Sequence, residues 1–342
     1  TGVQTCALPI CLRPQAHDII RTWALYTIIK AYFHEKEIPW NDIVISGHVL
    51  SGKEKISKSK GGTKLTPEFL LQTYPADVIR YWSANGKLGT DTAFSENQLK
   101  IGQKLITKIW NAFRFCKDHI SEYEKQKTQN LDDLSKWILH QFSNTFVTYK
   151  KYFDQYEYTH ALETIEKFFW HNFCDNYLEL IKNQIFNPDK YSAEQIENTK
   201  HTLYEVGFGI LQLFAPFLPH ITETLYQSLF KKNENEASIH TTILNQKRFN
   251  YNFKNDAEFI DKIIEIVSTV RKLKSEKQIS LKTEIEQLNF YSENKELLNK
   301  LKQQENLLRG ITHAKKFEYK LETIDESTIE QKDGNWFIQI KL

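Results

Sequence analysis

The stretch that most restricts the architecture is residues 42–62, DIVISGHVLSGKEKISKSKGG. Its β-branched start, DIVISGHVL, reads as a short buried strand. That strand runs directly into a polar, basic, Gly-flanked loop, Lys55-Ile56-Ser57-Lys58-Ser59-Lys60-Gly61-Gly62. Upstream, HDIIRTWALYTIIKAYFHE spaces Ile20, Trp23, Tyr26, Thr27 and Ile28 as an amphipathic helix does. Downstream, Thr66 is placed to cap a helix with Pro67 in its first turn, and PADVIRYWSANG forms a second short helix stopping at Gly86. This order predicts an α/β nucleotide-binding layer over residues 11–97, with the loop beyond the carboxyl end of a strand, where such folds hold ligands.

The pattern then changes. Residues 98–250 predict a helical bundle. Ser95 and Gln98 form a capping box before a long helix whose apolar residues Leu99, Ile106, Ile109, Phe113, Cys116 and Ile120 keep one face. Further helices are expected over 132–156 and 159–183. A Ser192/Gln195 capping box opens another, which ends before Pro216, and a last one begins near Pro219. Trp110, Phe113, Phe168, Phe169, Trp170 and Phe173 are read as bundle core. Residues 255–342 predict a small α+β module: a charged helix (258–278), the strand SLKTEIEQLNFY, a helix over 293–308, and a hairpin turning at Asp333-Gly334. The fold class is therefore α/β plus all-α.

Composition narrows the function classes. The chain has 342 residues, enough for two or three domains. Its 13% aromatic content and formal charge of +2 exclude a disordered chain, and no apolar run is long enough to span a bilayer. With 45 basic against 43 acidic residues, any RNA contact must come from local patches. Four scattered Cys without a C-x-x-C give no zinc ribbon and suit a cytoplasmic protein. There is no Met and the first residue is Thr, so the chain is read as a piece of a longer protein. The opening TGVQTCALPI resembles a translated sequencing adapter, and residues 1–10 are set aside from fold reasoning.

Alternating Lys and Ser on a Gly-flanked loop offer ammonium groups, hydroxyls and backbone N–H groups to a phosphate. A solvated basic turn is the plain alternative. The segment KISKSKGG resembles the "KMSKS" signature of class I aminoacyl-tRNA synthetases, with Ile56 in place of Met. RPQAHDIIRTW, YPADVIRYW, GTDTAFSENQ, FCDNYLELIK and LFAPFLPHITETLYQ are similar to further segments of that family, and HDIIRTW followed by GTDTAF points to its valyl members. The resemblance covers residues 11 to about 230 well and the tail more weakly. It implies the second half of a Rossmann-like catalytic domain, an anticodon-binding bundle and a C-terminal module.

It also implies a chemistry: valine and ATP, the latter with Mg2+ as substrate, give valyl-adenylate, and the valyl group then passes to tRNA(Val). No resident metal or organic cofactor, DNA or membrane partner is implied, and a monomer is expected. By resemblance Lys58 serves the phosphates with Lys55 supporting it, while Ser57 and Ser59 supply donors. Asp18 corresponds to a ribose-binding carboxylate; otherwise it is a helix N-terminal acid. Gln15 and Ala16 would lie beside the adenylate, though the family usually has Gly where Ala16 stands. His48 and Val49 would flank the adenine, and Ile19 and Trp23 would wall the valine pocket, unless they are ordinary core. Lys104, Lys108, Arg114 and Lys117 would meet tRNA phosphates or form a solvated face. Arg80 is read as locking the junction to the bundle, and RKLKSEK (271–277) as an exposed helix with i,i+4 pairs.

The alternatives are an isoleucine or leucine ligase, or a non-catalytic tRNA-binding module. The family's "HIGH"-like motif has no counterpart here, since HDII and HNFC do not substitute for it, and its inserted editing domain leaves no trace. The isolated chain is accordingly expected not to charge tRNA; detectable valylation in a direct assay would overturn this.

Overall fold

A computed structural model describes residues 10–52, 54–56, 65–121, 123–124, 130–321 and 337–341. The described residues are mostly helical and divide into two compact units: unit 1 holds residues 1–118, 145–166 and 208–244, and unit 2 holds 119–144, 167–207 and 245–342. None of the described helices is long and apolar enough to cross a membrane.

Unit 1 opens with strand β1 (Ile10–Ala16), a 3-10 turn (His17–Ile19), a π-helical turn (Ile20–Ala24), helix α1 (Leu25–Glu35) and strand β2 (Trp40–Ser46). β1 and β2 pair in parallel, Leu12 facing Asp42 and Ala16 facing Ser46. The expected strand DIVISGHVL is in fact two. The chain leaves β2 at Gly47 and enters β3 (Val49–Ser51), which pairs antiparallel with β4 (Glu54–Lys55) and parallel with β5 (Thr92–Ala93). Nor is the run buried throughout, since Ile43 is 39% exposed. The helix expected from residue 17 becomes α-helical only at Leu25. The stripe Leu25, Ile28, Ile29, Tyr32 and Phe33 has helical spacing, yet every member is exposed. Periodicity identifies an apolar face but not what covers it.

α2 (Pro67–Leu71) starts as expected, with the Phe69 N–H donating to Thr66 Oγ1, and α3 (Ala76–Ala84) follows. Three side chains of α3, Asp77, Arg80 and Tyr81, bind it to other parts of the unit. The buried Asp77 carboxylate accepts the N–H groups of His220 (3.2 Å) and Ile221 (2.8 Å), capping α9 (Pro219–Leu229) from outside. One turn on, Arg80 donates to the carbonyls of Pro216 (2.7 Å) and Phe217 (3.2 Å). Arg80 thus fastens the segment before the bundle to the turn leading into α9, as its position suggested. The Tyr81 hydroxyl donates to Glu166 (2.9 Å), and the Tyr81 ring lies against Gly102, where an added Cβ would stand 2.6 Å from it.

The helices that follow are α4 (Glu96–Ser121), α5 (Asp133–Asp154), α6 (Tyr158–Lys167), a π-helical segment (Phe168–Tyr177), α7 (Leu178–Phe186), α8 (Ala193–Phe214), α9 and the short α10 (Lys231–Glu234). α4, α5 and α8 each contribute residues to both units. Of the expected α4 core stripe, Leu99, Ile109, Phe113, Cys116 and Ile120 are buried, while Ile106 is half-buried. The capping box at α8 is realised in both directions, Ser192 N to Gln195 Oε1 (3.0 Å) and Gln195 N to Ser192 Oγ (3.2 Å). Trp110 corrects the expectation of a core residue, being 44% exposed. It lies one step around the helix from Ile109 and so turns off the buried stripe.

In unit 2, α11 (Lys254–Glu276) leads to a three-stranded sheet of order β7-β6-β8. β6 (Ile285–Tyr291) pairs in parallel with β7 (Ala314–Lys320) and antiparallel with β8 (Phe337–Lys341). The helix expected over 293–308 is two, α12 (Lys295–Gln303) and α13 (Glu305–Thr312), and β7 was not foreseen. The turn at Asp333-Gly334 lies outside the described residues. The basic run 271–277 is corrected as well. Lys272 and Glu276 form the expected i,i+4 pair, but Lys274 is buried. Its ammonium donates to the carbonyls of Leu281 (3.0 Å), Thr283 (2.6 Å) and Thr312 (2.9 Å), tying α11 to the chain entering β6 and to the end of α13. Helical spacing alone assigns Lys274 to a charged face; the three converging carbonyls supply the donors' partners that make its burial tolerable. Lys274→Met keeps the apolar stem and strands those carbonyls, so it should lower the unfolding free energy by about 2–3 kcal/mol in urea titrations.

Candidate nucleotide site

The carboxyl ends of β1 and β2 lie side by side, and the chain leaves them through His17-Asp18 and Gly47-His48. These exits meet. The His17 and His48 rings are 4.4 Å apart, and His48 Nε2 is 3.9 Å from Asp18 Oδ2. At that distance, and with a half-exposed carboxylate, the pair orients more than it stabilises. Gln15, one residue before the end of β1, is buried, and neither its amide nitrogen nor its amide oxygen has a hydrogen-bond partner among the described residues. Ala16 has extended backbone (φ −78°, ψ 158°), a conformation that needs no glycine.

The crossing from β2 to β3 is held by the segment after α3. An ideal Cβ on Gly47 would stand 2.0 Å from the Thr90 carbonyl oxygen, so only glycine fits. Gly89, with φ +74°, donates its N–H to the Ile45 carbonyl (2.9 Å). Asp91 Oδ1 accepts the His48 N–H (2.7 Å), and the Thr92 N–H donates to the His48 carbonyl (2.8 Å). As sequence, GTDTAF shows only a family likeness; the local signal for this bracing is a turn-forming Gly-Thr-Asp next to a strand.

Of the other expected site residues, Val49 begins β3 and is 37% exposed. Lys55 pairs with Leu50 through the backbone, and the Ile56 N–H donates to the Val49 carbonyl (3.2 Å), so the chain returns beside His48 just before Ser57. Ser57, Lys58 and Ser59 lie outside the described residues. Ile19 is half-buried. Trp23 stacks on Trp40 (5.7 Å, 10° between planes) and carries the Arg13 guanidinium 4.0 Å from its ring centre. Because a 3-10 turn and a π turn join Ile19 to Trp23, their four-residue spacing does not imply the shared face of a regular α-helix.

The expected RNA-facing residues all sit on α4, where no acid occurs between Glu96 and Asp118. Lys104, Arg114 and Lys117 are exposed and Lys108 is half-buried. Arg114 and Lys117, with Trp110, Phe113, Leu225 and Leu229, border an apolar cleft of about 350 Å³ between α4 and α9. Among the described residues no three His, Cys, Asp or Glu come together to hold a metal ion.

Two families match the chain in succession: tRNA synthetases class I (I, L, M and V) over residues 7–95, and the anticodon-binding domain of tRNA ligase over residues 135–289. The valine–tRNA ligase of Rickettsia conorii is 42% identical over 82% of this chain and 35% of its own length. That of the Wolbachia of Brugia malayi is 39% identical over 98% of this chain and 38% of its own. A leucyl-tRNA synthetase of Agrobacterium radiobacter, solved in a ternary complex with tRNA and LeuAMS, shares the fold over 71% of this chain and 30% of that one, with a TM-score of 0.53 at 14% identity. The chain thus spans little more than a third of the curated relatives it matches. It resembles valine–tRNA ligases in carrying a synthetase segment followed by an anticodon-binding segment and in its 39–42% identity to these relatives over most of its length.

Proposed function

We propose that this chain is the part of a valine–tRNA ligase that carries the phosphate-binding loop and the anticodon-binding bundle. The observation that carries the reading is the convergence of Asp18, His48 and the start of the Lys-Ser loop, through Ile56, at adjacent strand ends. β1, α1 and β2 form a parallel βαβ unit, which we read as belonging to the second half of a Rossmann-like domain over residues 11–97. The bundle then occupies 98–250 and the α+β module 255–342.

The reaction is activation of valine by ATP with Mg2+ to valyl-adenylate and pyrophosphate, then transfer to tRNA(Val), by a monomer. Adenylate formation needs no protein nucleophile. It needs the valine carboxylate in line with the α-phosphate and positive charge on the departing pyrophosphate. Lys58 supplies that charge, with Lys55 behind it and Ser57 and Ser59 as donors. Asp18 accepts from the ribose hydroxyls, His48 and Val49 flank the adenine, and the unpartnered Gln15 amide beside Ala16 is available to the adenylate. Ile19 and Trp23 line the valine pocket; an apolar pocket of this kind rejects threonine poorly, so hydrolytic editing belongs to the complete reaction. Lys104, Lys108, Arg114 and Lys117 meet tRNA phosphates.

In the full-length protein, Lys58→Ala should slow valine-dependent ATP–pyrophosphate exchange about 100-fold, corresponding to about 3 kcal/mol of lost transition-state stabilisation, while tRNA retention on filters stays near wild type. Unchanged exchange would refute the assignment, and isoleucine-dependent exchange in its place would move the protein to another amino acid.

A further inference from the structure

From the two-point grip on His48 we infer that Asp91 is a positioning residue for adenine-nucleotide binding, acting through the His48 backbone. The inference rests on the nucleotide-site reading above and adds to it a residue outside the strand ends. His48 sits in the two-residue crossing between two sheets, outside both strands, so its N–H has no strand partner. Its N–H is taken by the Asp91 carboxylate (2.7 Å), and its carbonyl accepts the Thr92 N–H (2.8 Å) where the parallel β3–β5 pairing begins. Consecutive residues of one segment thereby fix the peptide units on both sides of His48, and with them the direction of its side chain towards His17 and Asp18. A charged acceptor on a backbone N–H is among the stronger hydrogen bonds available.

Three other features show that the segment is built to sit there. Gly47 admits the Thr90 carbonyl at a distance no side chain would tolerate. Gly89 adopts φ +74° and donates to Ile45. The Thr90 hydroxyl closes its own turn by donating to the Lys87 carbonyl (2.9 Å). The segment is anchored at its other end too, since the Thr159 hydroxyl, on α6, lies within hydrogen-bonding distance of the carbonyls of Ala84 (3.0 Å) and Gly86 (3.3 Å). Asp91 itself is exposed, so its removal leaves no cavity and its effect is one of orientation.

The test uses the full-length protein with Asp91→Ala and Asp91→Asn. ATP affinity is read by equilibrium dialysis, and the KM values for ATP and valine by pyrophosphate exchange. Asp91→Ala should weaken ATP binding and raise the ATP KM about tenfold, as expected for one lost charge-assisted hydrogen bond, with the valine KM moved less than twofold. Asp91→Asn keeps an acceptor oxygen at the same place and should restore both. The His48 amide should exchange its hydrogen faster in Asp91→Ala and not in Asp91→Asn. The inference is overturned if Asp91→Ala binds ATP as wild type does, if both KM values rise together, or if Asp91→Asn is as impaired as Asp91→Ala. A wild-type protein that binds ATP but supports no valine-dependent exchange would refute the functional reading instead, and the dialysis and amide-exchange results would still decide the role of Asp91. A wild-type protein that binds no ATP overturns both.

Discussion

The close approach of Gly47 to the Thr90 carbonyl decides how the first unit is put together. Two strands with the composition of one continuous run are separated there, and the chain passes from one sheet to another within two residues. A side chain at position 47 would push the Gly89–Thr92 segment away, and with it the groups that hold Ile45 and His48. A missing Cβ is therefore what allows two non-adjacent pieces of sequence, each unremarkable alone, to meet at one corner.

α3 extends the same economy towards the bundle. Asp77 and Arg80 are three residues apart and so share one helix face, and they grip opposite electrical ends of one turn. The carboxylate meets the N–H groups that open α9, and the guanidinium meets the carbonyls that precede it. Because α3 leads into the segment that braces His48, the turn before α9 and the His48 corner are linked through short, hydrogen-bonded stretches of unit 1. In unit 2 the buried Lys274 performs a comparable task with three carbonyls and no acid.

Much of this was legible in the residues. The Ser192/Gln195 capping box, prolines and the α4 stripe located bundle helices because those signals are local and act through backbone groups within a turn or two. The Ser95/Gln98 pair, by contrast, makes no reciprocal capping bonds among the described residues at the start of α4. The corner at the strand ends was legible only through the pattern around KISKSKGG and its family likeness, which directed attention to Asp18 and His48. What stayed hidden depended on distant partners. Nothing near Lys274 in the sequence announces three carbonyls from two other segments. Nothing in DIVISGHVL announces that Thr90 will arrive at Gly47. Trp110 was misjudged because an aromatic beside a core position looks the same whether or not a neighbouring helix covers it. The π-helical stretches are a register effect that composition does not encode.

The bare stripe on α1 has a practical side. Leu25, Ile28, Ile29, Tyr32 and Phe33 recur along one helix in the manner of a surface-seeking peptide, with Trp23 and Tyr26 nearby and also open to water. A polypeptide handled in this form will adsorb to air–water boundaries, plastic and detergent micelles through that helix. Its apparent concentration will drift with vessel and surfactant rather than with any property of the His48 corner.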